Sequence, residues 1–95
     1  SGDEVIQDTN KAVTYYARAW AAGRMQAAAS ASEMFLSIND VRNAYLWSLR
    51  CIGACNRSYE ISLEHLQESL TPAAIKQAQK AAAAPSIIEL DISGD

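Results

Sequence analysis

The 95-residue sequence contains one histidine, one phenylalanine, two cysteines, two prolines and four glycines. The scarcity of histidine, cysteine and glycine removes classes of function. A single imidazole, His65, cannot build a two-histidine zinc site, and neither cysteine stands at ligand spacing from it. Glu64 and Glu68 flank it on a predicted helix, which reads as a solvated surface group. Nothing orients Cys51 and His65 as a nucleophile pair. The glycines are scattered at Gly2, Gly23, Gly53 and Gly94, so the chain has no phosphate-cradling loop. The expected catalytic, cofactor-binding and metal-binding residues are therefore none. Basic residues are also few. Eight Lys and Arg against eleven Asp and Glu leave a net charge of −3, which argues against a nucleic-acid partner. Apolar runs fall far short of a bilayer span, so no membrane insertion is expected. The start at Ser1-Gly2-Asp3 has no charged-then-apolar leader and reads as a processed or trimmed edge.

What the sequence has in quantity is alanine and helical periodicity. Eighteen residues are alanine, and 49% of the chain is apolar, which favours closely packed helices over disorder. A first helix is expected from about Asp3 or Glu4 to Ala22. Val5, Thr9, Ala12, Val13, Tyr16, Ala19 and Trp20 form its apolar stripe, and Gly23 its left-handed stop. A second helix, about Met25 to Leu36, carries Ala27, Ala28, Ala31, Met34 and Phe35, and the short connection sets it antiparallel to the first. Ser37-Ile38-Asn39-Asp40 reads as a turn, with Asn39 or Asp40 as the next N-cap. The third helix is expected from Val41 to Cys55 with Val41, Ala44, Tyr45, Leu49, Ile52 and Cys55 buried. Its two cysteines lie four apart on one face, where helix geometry rarely suits a disulfide, and read as small apolar residues. A fourth helix, about Tyr59 to Leu70, precedes Thr71-Pro72, which cap and open a fifth running to about Ala83. Pro85 ends that helix. Beyond it, Ile88, Leu90 and Ile92 alternate with Glu89 and Asp91 in a strand-like tail.

Self-similarity at a spacing of 32 residues organises these helices. Ala44 falls on Ala12, Trp47 on Tyr15, Arg50 on Arg18, Cys51 on Ala19 and Cys55 on Gly23. The run Tyr15, Tyr16, Ala19, Gly23, Ala27, Ala31-Ser32 and Phe35, followed by Asp40 and Ala44, resembles the Sel-one-like repeat family, helix-pair relatives of tetratricopeptide repeats. Leu70-Thr71-Pro72-Ala73-Ala74-Ile75-Lys76-Gln77-Ala78-Gln79 resembles the helix that closes bacterial arrays of this kind. The sequence departs from the family where Leu-Gly has become Ala31-Ser32 and where Cys55 replaces a glycine.

The resemblance implies an all-α fold: a short right-handed α-solenoid of antiparallel helix pairs, about five helices, with an extended C-terminal tail. Residues 1–84 would form the repeat domain and 85–95 the tail. Two units and a cap bury little apolar surface, so the chain would continue a longer array or gain burial from self-association or a partner. The implied role is a non-catalytic interaction module, adaptor or scaffold, of bacterial type, in signalling, envelope assembly or host contact. A regulator docking on one enzyme and a self-assembly domain are the alternatives. By analogy the first helices of successive pairs line a groove for a protein or peptide segment. Thr14, Tyr15 and Arg18 then pair with Leu46, Trp47 and Arg50, both arginines facing away from the buried stripe. The competing reading makes the arginines part of a solvated face and the aromatics inter-helix packing. Ile87, Ile88, Leu90 and Ile92 are candidates for self-association into a homo-oligomer through the tail, or for a linker.

Overall fold

Two helices of this chain end in the same local device, and both ends follow from the residue that supplies a positive φ. The computed structural model describes residues 2–52, 54, 55 and 62–84. Helix α1 (Gly2–Ala21) stops at Gly23, whose φ is +103°. The Arg24 amide donates back to the Ala19 carbonyl at 3.0 Å, and the Gly23 amide to Trp20 at 2.9 Å. These two bonds satisfy carbonyls that the helix end would otherwise leave unpaired. Helix α2 (Ala27–Ser37) closes in the same way on Asn39, at φ +62°. There the Asp40 amide reaches Phe35 O and the Asn39 amide reaches Leu36 O, each at 2.9 Å. Asparagine is the next best residue after glycine for this conformation.

Asp40 then opens helix α3 (Val41–Cys51) by accepting the Asn43 amide at 3.1 Å, which settles the choice between Asn39 and Asp40 as cap. Helix α4 (Ser62–Gln67) is short, and α5 (Pro72–Ala83) begins as the Thr-Pro pair predicts. The Thr71 hydroxyl accepts the Ala74 amide at 3.1 Å, and Pro72 occupies a position whose amide has no partner in any helix. The described residues thus form five α-helices and no strand. The first turn expected of α2 is instead a run of tighter turns, Ala27 to Arg24 and Ala28 to Met25, both 3.0 Å. The tail, with Ile87, Ile88, Leu90 and Ile92, lies outside the described residues.

Helix α3 ends four residues before the expected Cys55. Ile52 leaves the helix at ψ 126°, and its side chain is 47% exposed rather than buried. The Cys55 amide nevertheless reaches the Cys51 carbonyl at 2.7 Å. Cys51 and Cys55 are joined by a disulfide across a Cα separation of 4.9 Å, not held as two free thiols. The expectation failed because it assumed an unbroken helix between them; once Ile52 departs from helical geometry, the constraint against bonding disappears.

The core explains the order of packing. α2 lies against α1 and α3, and α3 also meets α4 and α5. Val13 and Ala17 of α1, Ala28, Ala31 and Phe35 of α2, and Ala44, Tyr45 and Trp47 of α3 are fully buried. The alanines of α2 let it nest between its neighbours, as small side chains permit close approach. α3 is buried on nearly every side from Asn43 to Ser48, because neighbours approach it from three directions. Polar groups caught in that core find partners. The Ser32 hydroxyl donates to Ala44 O at 2.8 Å and lies 2.6 Å from the Ser48 hydroxyl, while Tyr45 Oη accepts from Gln67 Nε2 at 2.8 Å.

Candidate functional site

Of the six residues expected to line one groove, the structure separates three from three. Thr14, Tyr15 and Arg18 stand on the open face of α1. Leu46 and Trp47 of α3 are 7% and 0% exposed, and Arg50 is 9% exposed. The expectation that both arginines face away from the buried side therefore holds for Arg18 and fails for Arg50. The aromatics divide likewise: Trp47 packs between helices, whereas Tyr15 is 66% exposed. α1 packs extensively on α2 but not on α3, although Trp20 of α1 touches Trp47 and Arg50 of α3.

Arg50 has a definite internal role. Its guanidinium donates to the carbonyls of Ala81 at 3.1 Å, Ala82 at 3.3 Å and Ala84 at 2.9 Å, at the C-terminal end of α5. A helix C-terminus carries unpaired carbonyls and a partial negative charge, so a cation there is favourable on both counts. The same guanidinium lies 4.2 Å from the Trp20 ring centre and 4.6 Å from that of Trp47, and the two indoles meet edge to face at 5.5 Å. Ring faces attract the cation where water is excluded. The indole N–H groups of Trp20 and Trp47 find no acceptor among the described residues.

The exposed face of α1 is built by helical spacing. Lys11, Tyr15 and Arg18 follow at four and three residues, which places them on one side of the helix. With Asn10 and Thr14 they line a shallow, open depression of about 340 Å³. Tyr15 leans edge-on against Tyr16 at 5.6 Å, and Tyr16 packs on the core, so the exposed ring is braced from below. The Thr14 hydroxyl donates to the Asn10 carbonyl at 2.8 Å and is occupied within the helix. Lys11 and Asn10 were not among the groove residues expected from sequence; the four-residue steps from Lys11 to Tyr15 and from Asn10 to Thr14 were the signal that could have found them.

His65 lies where its sequence neighbours imply, 84% exposed and 3.7 Å from Glu68 across one helical turn. No group of three metal-ligating side chains gathers among the described residues, and no described helix is long and apolar enough to cross a membrane. Comparison of the chain with protein-family models, curated proteins and solved structures returns no match.

Proposed function

We propose that this chain is a non-catalytic protein–protein interaction module, an adaptor or scaffold, that seats an acidic, extended segment of a partner protein along the open face of α1. The observation that carries the reading is Tyr15, an aromatic ring 66% exposed between two exposed cations, Lys11 and Arg18. Aromatic and arginine side chains dominate the energetics of protein interfaces. An arginine fork grips carboxylates in two parallel bonds, and Lys11 adds a second positive charge across the ring. The complementary partner presents carboxylates spaced to straddle an apolar side chain that covers the tyrosine.

The architectural half of the proposal keeps the helix-pair reading. α1 with α2 and α3 with α4 form two units of a right-handed solenoid of antiparallel pairs, and α5 is the lid, as the Sel-one-like resemblance implies. In favour of this reading is the packing of α2 on α1 and of α3 on both α2 and α4, with α5 laid against α3. The docking face is narrower than a groove shared by two units, because Leu46, Trp47 and Arg50 are spent inside.

The test uses synthetic extended peptides that alternate apolar residues with Glu or Asp, titrated against the protein and followed by calorimetry. Binding should weaken at least tenfold with Arg18→Glu, fall with Tyr15→Ala, and decline with added salt. Peptides that bind wild type and both variants equally would sink the assignment of this face.

A further inference from the structure

We propose that the Cys51–Cys55 disulfide is a reversible redox site that opens by thiol–disulfide exchange with a thiol reductant, Cys55 being the sulfur attacked. Two features support reversibility. First, the bond closes a loop of only five residues, which the Cys55 amide already closes by its 2.7 Å bond to the Cys51 carbonyl. A disulfide across so short a loop constrains the unfolded chain least, so breaking it leaves the fold standing. Second, both reduced sulfurs have a place to go. Cys51 is 3% exposed within the core, where a neutral thiol behaves as a small apolar group. Cys55 Sγ lies 3.3 Å from the Met25 carbonyl, in the turn between α1 and α2. The oxidised sulfur carries no hydrogen and cannot donate there. Reduction creates the S–H that makes the contact a hydrogen bond.

The asymmetry of burial sets the direction of attack. Cys55 is only partly buried, whereas Cys51 is closed off. An incoming thiolate attacks Cys55 Sγ and forms a mixed disulfide with it, and the electron pair of the broken S–S bond leaves on Cys51, which takes up a proton. A second thiolate then attacks the reductant's sulfur, releasing the reductant as its own disulfide and leaving Cys55 as a thiol. Two thiols are oxidised and one protein disulfide is reduced.

The experiment incubates the folded protein in glutathione buffers of graded ratio, reads far-ultraviolet circular dichroism, then quenches with acid, alkylates in denaturant so that buried Cys51 is reached, and reads intact mass. Both cysteines should become alkylated together in one reversible transition while the helical signal is retained. Cys51→Ser should capture one glutathionyl group at Cys55 on exposure to oxidised glutathione, and Cys55→Ser should resist. A bond that survives excess reduced glutathione under native conditions, or a reduction that abolishes the helical signal, would overturn the proposal in favour of a purely structural bond. Equal capture by the two variants would overturn the choice of Cys55, and the wild-type titration decides the reversible site even if one variant does not fold.

Discussion

At Arg50 three carbonyls of the α5 terminus and two indole faces converge on one guanidinium. Lysine at that position offers one compact charge, without the planar guanidinium that spreads its donors along the helix end while stacking flat on a ring. Arg50→Lys should therefore cost about 1–2 kcal/mol, read as a lower denaturant midpoint with unchanged slope. Arg18 occupies the equivalent position in the sequence but is exposed on α1. At Tyr15 the expectation is the reverse of Arg50: Tyr15→Ala should leave stability within about 0.5 kcal/mol, as exposed substitutions do, while reducing peptide binding. Inside the core, Ser32→Ala removes the donor to Ala44 O and the partner of the Ser48 hydroxyl. That change should cost about 1–2 kcal/mol in chemical denaturation.

The helices begin and end largely where local chemistry dictates. At Gly23 nothing lies within 4 Å of an added Cβ, so Gly23→Ala carries only the backbone cost of φ +103°. A loss of about 1 kcal/mol is expected by thermal melting. Asn39→Ala should cost a similar ~1 kcal/mol, and Asn39→Gly close to nothing, because glycine holds the left-handed conformation without strain. These ends were legible because each cap depends on a few neighbouring residues. The Thr71-Pro72 start and the Gly23 stop needed no tertiary information. The end of α3 did: the apolar spacing runs on to Cys55, and the disulfide with the non-helical backbone at Ile52 depends on geometry that spacing does not encode.

In the molecule as a whole, α3 sits among α2, α4 and α5. A repeat comparison transfers the environment of α1 to α3 position by position, which is sound only when both helices have the same neighbours. Here α1 keeps an open face, and Tyr15 and Arg18 stand on it. Trp47 and Arg50, at the matching positions, turn inward because α3 is enclosed and α5 closes over it. The helices of the described residues and the open face of α1 could be read from periodicity. The α3 half could not, since enclosure by α5 is a long-range fact, with Ala81 to Ala84 more than thirty residues from Arg50.

The most direct test of this division of labour compares the thermal midpoints of Arg50→Ala and Arg18→Ala. Loss of the charged hydrogen bonds at Arg50 should remove at least about 2 kcal/mol, lowering the midpoint by ~8–16 °C for a domain of this size, while Arg18→Ala melts close to wild type. Equal midpoints for the two variants would contradict the account.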